Sequence, residues 1–416
     1  MSVTFRFLQL DELPAVARLI THSFPHHTRT AEWWTEQLRD TLYGGGPEVI
    51  WVGEEEGRIV AACQLHRLRQ WVAGAALPVM GMATVTIAPT HRRRGIAGAL
   101  VASGLAAARE RGEVASALYP FRTSFYRKLG YGAAGEVIQY RAAPEAFASG
   151  AGHSRVEMAE TGAARAEVRD LYRRWAATQT GQMVRGERIW EHLLATPDRA
   201  VALHRDADGA ATGYALLAYR VDLPIAERFL EVEEIAWLDA AARRALLAWL
   251  GSLGDQWRQI VIRALPAHRL EESIQEPRLP PGGEPGWGLW FPAATVLRGP
   301  MFRLLDLASA WRLRAVRPDA ALTLALDVQD TQLPGNAGLW RLRLESGRVV
   351  VERTDDDEAE LTLRLDIETL SRLYIGDLTP SDAVRRDLAA ILRGPERLGE
   401  LDRALALPRP WTFDRF

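Results

Sequence analysis

Cysteine and lysine are almost absent from this chain of 416 residues, which contains one of each, Cys63 and Lys128. A single cysteine excludes an internal disulfide bond. Cys63 stands in an uncharged run at 60–65 that predicts a buried strand, so we interpret it as a structural thiol and not as a nucleophile.

Long apolar runs and an excess of one charge are also missing. No run approaches the roughly 18 apolar residues that span a bilayer, so the pattern excludes a transmembrane helix. The first seven residues predict a strand and lack the features of an export signal, and we therefore expect a cytoplasmic protein. Because the formal net charge is -2, we expect neither nucleic acid nor a membrane as a partner.

A metal site is not expected. His22, His26 and His27 are close in sequence, but Pro25 interrupts the helix that would align them. The acidic run at 355–358 lacks the glycine and the spacing of a calcium loop.

Residues 84–105 predict a strand, a glycine-containing turn and a helix. Thr84 to Ile87 favours a strand, and apolar residues recur at helical spacing from Ile96 to Leu105. A helix N-terminus offers four unpaired N–H groups and a positive dipole end, and glycines leave these open to a pyrophosphate. A turn with a solvated basic rim is the alternative. The turn contains Arg92, Arg93, Arg94, Gly95, Ile96, Ala97 and Gly98.

The length predicts about three domains, because one domain usually holds roughly 100 to 200 residues. We place them at 1–145, 146–292 and 293–416. The first domain ends with a strand at 114–119 and a tyrosine-containing loop. The second is predicted to repeat its order, with a helix at 161–177, strands at 200–203, 213–220 and 229–235, a helix at 240–250 and a strand at 259–263. Its turn at 235–245 has no glycine, so we expect it to bind no coenzyme.

Prolines and glycines crowd residues 276–300 and predict a boundary there. Beyond it we expect a helix over 301–316 and strands at 322–328, 338–344, 349–353 and 361–365. Helices are expected from 366 to the end.

The strand, arginine-rich turn, helix and strand, followed by Tyr126, Leu129, Gly130 and Tyr131, resemble the coenzyme A-binding half of GNAT N-acetyltransferases. Residues 327–340 resemble part of a sterol-carrier-protein-like domain. Together these features resemble the Eis (enhanced intracellular survival) family over essentially the whole chain. The resemblance implies an α/β (α+β) fold with two tandem GNAT folds and a sterol-carrier-protein-like domain. It also implies acetyl-CoA as co-substrate, amine acceptors that include aminoglycosides, and a homohexamer.

Acetyl transfer needs a proton for the departing thiolate. Tyr126 follows the strand at 114–119, and a phenol with a pKa of about 10 can protonate a thiolate whose thiol has a pKa of about 8.5. From spacing alone, Tyr126 is equally compatible with a core aromatic beside Phe125 and Tyr131. The resemblance implies that Tyr126 is the general acid.

No histidine or glutamate near the turn is an obvious base. The resemblance implies that the C-terminal α-carboxylate enters the first domain's site, and this chain ends in Phe416. An apolar pocket around Phe416 would raise the pKa of that carboxylate from about 3.5. A frayed terminus is the ordinary alternative.

The resemblance also implies the binding residues. Those assigned to the coenzyme are Val85, Thr86, Ile87, Arg92, Arg93, Arg94, Gly95, Ile96, Ala97, Gly98, Phe121 and Arg122. Those assigned to the acceptor are Phe24, Trp33, Trp34 and Asp414, although paired tryptophans on a helix are more often packing residues. Arg415 beside Asp414 would oppose a polycationic acceptor.

We therefore expect an N-acetyltransferase that modifies a small-molecule amine (aminoglycoside-like or polyamine) or a lysine side chain. Transfer is expected to be direct, within a ternary complex. The alternative is a lipid-binding or assembly protein with a vestigial acetyltransferase fold. The intact turn at 95–98 beside an eroded second copy argues against that alternative.

Overall fold

The strands form three sheets, with helices packed against them, in this computed structural model. The structure describes residues 3–24, 28–147, 153–195, 199–274, 293–356 and 358–416. The first part contains β1 (Thr4–Phe7), α1 (Leu13–Ser23), α2 (Ala31–Arg39), β2 (Ile50–Glu55), β3 (Arg58–Val72), β4 (Ala75–Ile87), α3 (Ile96–Glu110), β5 (Ala115–Leu118), α4 (Thr123–Arg127), β6 (Gly132–Ala133) and β7 (Glu136–Ala142). The second contains β8 (Val156–Ala159), α5 (Thr161–Ala176), α6 (Glu187–Leu194), β9 (Arg199–Arg205), β10 (Ala211–Arg220), β11 (Phe229–Trp237), α7 (Ala240–Gly251) and β12 (Ile260–Ala264). The third contains β13 (Ala294–Arg298), β14 (Met301–Leu304), α8 (Leu307–Leu313), β15 (Leu322–Gln329), β16 (Gly338–Glu345), β17 (Arg348–Arg353), β18 (Leu361–Asp366), α9 (Ile367–Ile375), α10 (Pro380–Arg385), β19 (Ala389–Arg393) and α11 (Leu398–Leu405).

The first sheet has the order β1-β2-β3-β4-β5-β14-β6. β1 to β4 are antiparallel neighbours, whereas β4 and β5 are parallel and pair only over 79–82 and 115–118. α3 connects β4 to β5 and buries Ile96, Leu100, Val101 and Leu105, as their spacing predicts. Because β4 continues to Ile87 without a partner on the β5 side, a cleft opens at this edge of the sheet.

The second sheet repeats this arrangement in the order β13-β7-β12-β11-β10-β9-β8. β11 and β12 form a parallel pair joined by α7, which confirms the strand, helix and strand predicted over 229–263. At the start of α7, the Asp239 carboxylate accepts a hydrogen bond from the Ala242 backbone N–H at 2.8 Å. The chain's own carboxylate therefore caps this helix.

Two strands cross the domain boundaries predicted at 145/146 and 292/293. β7 precedes the first boundary but pairs with β12 and β13 in the second sheet. β14 follows the second boundary but lies between β5 and β6 in the first sheet. Divisions along the chain therefore do not coincide with the sheets. Residues 275–292, most of the predicted proline-rich boundary, lie outside the described residues.

The third sheet has the order β17-β16-β15-β18-β19. The predicted helix over 301–316 is wrong, because Met301 begins a buried strand and only Leu307–Leu313 is helical. Periodicity cannot separate strand from helix in so short an apolar run. The prediction that only helices follow 366 is also wrong, since β19 pairs with β18. No helix in the described ranges has the length and apolarity needed to cross a bilayer.

A buried ion pair ties β14 to the turn that follows β15. The guanidinium of Arg303 contacts both carboxylate oxygens of Asp330, at 2.8 and 3.0 Å, and neither side chain is exposed to solvent. Asp330 also accepts from the backbone N–H groups of Gln332 and Leu333. Gly130 leaves space for the guanidinium, because a Cβ there would lie 1.5 Å from an Arg303 nitrogen.

Replacing Arg303 with methionine is expected to lower the free energy of unfolding by about 3 kcal/mol, because it leaves the Asp330 carboxylate buried without a countercharge. Urea unfolding followed by circular dichroism measures this change. The double variant Arg303→Met/Asp330→Asn is the control and should lose less stability than the single variant. Equal stability of Arg303→Met and the unmodified protein would contradict the expectation.

Candidate active site

The cleft between β4 and β5 contains a cavity of about 890 Å³. Its walls come from the end of β4, the start of α3, the segment after β5 and the C-terminal residue. The predicted coenzyme residues that line it are Val85, Thr86, Ile87, Arg92, Arg93, Gly95, Ile96, Ala97, Gly98, Phe121 and Arg122. Phe24, Tyr126 and Phe416 line the same cavity.

A bulge shapes the β4 wall. Thr84 has a φ of +53°, and the register with β3 shifts between Ala62 and Gln64. The Gln64 amide donates to the Thr84 hydroxyl at 2.9 Å, which holds the bulge. The Thr86 hydroxyl is buried and has no hydrogen-bond partner among the described residues. The end of β4 thus offers unpaired polar groups to an extended ligand.

The turn before α3 forms an open anion cradle. Arg93 and Gly95 have φ values of +61° and +79°, and the first N–H to bond within the helix is that of Ala99, to Gly95 O at 3.2 Å. A Cβ built on Gly98 would meet no atom within 4 Å. The free N–H groups and the uncovered backbone suit a pyrophosphate.

Arg94 is placed differently from its prediction. Its side chain does not line the cavity but forms an ion pair with the buried Glu55, at 2.7 Å. His91 contacts the same carboxylate at 3.1 Å. Arg94 lowers the pKa of Glu55 through its hydrogen bonds and positive charge. Arg94 therefore stabilises the turn through its ion pair with Glu55, while Arg92 and Arg93 line the cavity.

Tyr126 lies at the end of α4 against the cavity. Its ring packs edge-on against Phe121, Phe125 and Tyr131, with centroids 4.9 to 5.8 Å apart. Burial raises its pKa, so the phenol stays protonated at neutral pH. Its hydroxyl bonds to no described residue, whereas the Tyr131 hydroxyl lies 2.6 Å from Ser116 in the core. Tyr126 is thus the tyrosine of this cluster that can reach a ligand.

The C-terminal residue reaches the cavity between two tyrosines. The Phe416 ring lies 6.1 Å from that of Tyr43 and 5.7 Å from that of Tyr119. It covers Gly81 on β4, where a Cβ would be 2.8 Å from the ring. Tyr43 and Tyr119 donate to the backbone carbonyls of Arg415 and Asp414, respectively. The terminus is therefore anchored rather than frayed.

Three residues near the C-terminal residue were not predicted from the sequence as site residues: Tyr43, His66 and Tyr119. His66 lies opposite Gly81 on the neighbouring strand, 5.6 Å from the Tyr43 ring, and burial lowers its pKa to about 4. It is therefore neutral at pH 7. Strand pairing brings His66 here, and no local sequence signal marks it.

The predicted acceptor residues are not all brought together. Phe24 lines the cavity, but Trp33 and Trp34 contact each other edge to face, with ring centroids 5.0 Å apart, and are not among its described lining residues. Asp414 is buried and ion-paired with Arg185 at 2.8 Å, so its carboxylate is not free for an acceptor. His26 and His27 lie outside the described residues.

Comparisons with known proteins agree with this geometry. Residues 4–134 and 181–304 each match an acetyltransferase (GNAT) domain, and residues 307–413 match a sterol carrier protein domain. An uncharacterized N-acetyltransferase of Streptomyces avermitilis is 31% identical over 376 residues, which cover 83% of this chain and 82% of that protein. The N-acetyltransferase Eis of Mycobacterium tuberculosis is 27% identical over 394 residues, 90% of each chain.

A solved structure has the same fold. The GCN5-related N-acetyltransferase from Anabaena variabilis superposes with a TM-score of 0.84 at 21% identity and full coverage of both chains. The fold and the cleft define an N-acetyltransferase of the GNAT class. With a relative 31% identical over most of both chains, and Eis itself among the relatives, the chain belongs to the Eis family of N-acetyltransferases.

Gly98→Val is expected to weaken acetyl-CoA binding at least about tenfold, or 1.4 kcal/mol, because the added side chain enters the cradle. Isothermal titration calorimetry measures the dissociation constant. Gly162→Val is the matched control, since Gly162 is also near a helix start with open space around it but lies outside the cavity lining. Equal affinity of the two variants would rule out the cradle.

Proposed function

We propose that this chain transfers the acetyl group of acetyl-CoA directly to an amine within a ternary complex, using the first GNAT region. The observation that carries the proposal is that one cavity is lined by the anion cradle, the protonated Tyr126 and the terminal Phe416. A covalent acetyl-enzyme on cysteine is disfavoured, because Cys63 is 1% exposed and burial raises its pKa.

The reaction moves two protons. The amine nitrogen bonds to the thioester carbonyl carbon, and the carbon–sulfur bond breaks to leave a thiolate. In our proposal, the Phe416 α-carboxylate accepts the proton that the attacking nitrogen loses. The Tyr126 hydroxyl donates a proton to the departing thiolate. Acetyl-CoA supplies the activated acetyl group, and this chain orients it and handles the protons.

The coenzyme would be held mainly by main-chain groups. The unpaired edge of β4 at 83–87 suits the amides of the pantetheine arm. The N–H groups at the start of α3, with Arg92 and Arg93, suit the pyrophosphate. In the second region, the Asp239 carboxylate caps the N-terminus of α7 by accepting from the Ala242 N–H. We therefore propose that this copy binds no coenzyme.

Membership of the Eis family supports the remaining proposals. We propose a cytoplasmic homohexamer that acts on small-molecule amines, with polyamines and aminoglycosides as the classes to assay first. Lysine-containing peptides belong in the same assay. The lipid-binding alternative is disfavoured, because the coenzyme cradle is intact and open.

Replacing Tyr126 with phenylalanine removes the proton donor but keeps the ring packing. We expect kcat to fall about 100-fold or more, with the acetyl-CoA dissociation constant changed less than about twofold. A thiol-release assay and calorimetry measure the two quantities. Tyr131→Phe, in the same aromatic cluster, is the control: it removes the bond to Ser116 and should lower the melting temperature while keeping kcat. Near-normal turnover of Tyr126→Phe would refute the assignment.

Deleting Phe416 shifts the terminal carboxylate to Arg415 and removes the ring that covers Gly81. We expect kcat to fall to a small but measurable residual value while acetyl-CoA still binds, because the cradle is untouched. A chain extended by one glycine should behave similarly, since its carboxylate is displaced. Phe416→Leu keeps the carboxylate in place and is expected to retain more activity than either. Full turnover in the extended chain would exclude the carboxylate as the base.

A further inference from the structure

The C-terminal tail, residues 410–416, runs between the first region (β1–β7) and the second region (β8–β12) of the protein. The Trp411 backbone N–H donates to Thr180 O at 2.9 Å, and the Gln182 side chain donates to Trp411 O at 2.8 Å. Gly135 and Gly181 have positive φ values, and a Cβ on either would lie within 3 Å of tail backbone. The tail backbone therefore packs closely on both regions.

The segment 180–185 that holds the tail is also bonded to the first sheet. Gly181 N–H donates to Trp71 O at 2.7 Å, Trp71 N–H donates to Gln182 O at 2.8 Å, and Val184 N–H donates to Arg69 O at 2.8 Å. The segment thus pairs with the end of β3 on one side and contacts the tail on the other. A continuous series of hydrogen bonds runs from the first sheet through this segment to the tail.

Arg185 ends this segment and holds the tail by charge. Its Nε donates to Asp414 at 2.8 Å, and its terminal nitrogens contact Glu234 at 3.0 and 2.5 Å. The three side chains are at most 3% exposed. The rings of Tyr172 and Trp190 lie 4.0 and 4.9 Å from the guanidinium carbon. A planar guanidinium bound by two carboxylates fixes direction as well as distance.

Only two peptide units separate Asp414 from Phe416, so a shift at Asp414 moves the terminus with it. The Asp414 side chain faces the second region, while the carbonyls of Asp414 and Arg415 accept from Tyr119 and Tyr43 of the first. We propose that Arg185 is a positioning residue that sets the place of the terminal carboxylate in the cavity. The second GNAT region thereby contributes to the reaction through the tail. This inference rests on the proposed role of Phe416.

Asp414→Asn tests it with little risk to folding, since Arg185 keeps Glu234 as its partner. We expect kcat to fall about tenfold or more, with the acetyl-CoA dissociation constant within about twofold. The acidic limb of the pH–kcat profile, which reports the base, should also shift. Arg185→Lys should retain more activity than Arg185→Gln, because it keeps a charge beside the two carboxylates. The control is Arg205→Gln, which breaks ion pairs with Glu157 and Glu167 in the same region away from the tail.

A double-mutant cycle separates positioning from general damage. If Arg185 acts through Phe416, Arg185→Gln should cost no further activity in a chain that lacks Phe416. Loss of activity on deleting Phe416, with unchanged kcat and pH profile in Asp414→Asn, would overturn the inference alone. Full activity without Phe416 would overturn the proposed base itself. Additive losses in the cycle would show that Arg185 acts elsewhere, and would also reject the inference.

Discussion

The separation of β4 from β5 is the constraint on which the rest of the site depends. The two parallel strands pair over four residues each and then part, where the bulge at Thr84 redirects β4. Parting leaves main-chain groups of β4 without sheet partners and opens a space that α3 faces with its N-terminus. The cradle, the tyrosine and the terminus all line this one opening. A strand pair that stayed together would close it.

Buried charge fixes the parts that come from far along the chain. Arg303 with Asp330 ties β14 to the turn after β15, and Arg185 with Asp414 ties the tail to the second region. Removing such charges from water costs several kcal/mol per ion, so the pairs are weak sources of net stability. What they provide is geometry, because each buried charge is held beside a specific partner. The site thus depends on contacts such as that of Arg185 with Asp414, which are 229 residues apart in the chain.

The helices that follow β4 and β11, α3 and α7, differ in what occupies their N-termini. In the first, Gly95 adopts a positive φ and the cradle is open. In the second, the Asp239 carboxylate accepts a hydrogen bond from the Ala242 N–H at the start of α7. A carboxylate at a helix N-terminus satisfies the same donors and dipole that an anionic ligand would use. The architecture is repeated, but the anion-accepting surface is not.

Local patterns in the sequence predicted the strand, turn and helix at 84–105 and the strand, helix and strand at 229–263, because periodicity, β-branching and turn glycines act over a few residues. The family resemblance added Tyr126 and Phe416, which spacing alone left open. Tertiary structure decided the rest. Met301–Leu304 and Ala389–Arg393 are strands because sheets offered them partners, although their short apolar runs carry no distinguishing period. Arg94 pairs with Glu55 and Asp414 pairs with Arg185. Strand pairing places His66 opposite Gly81, which the Phe416 ring covers. Long-range pairing chooses among neighbours that no local pattern specifies.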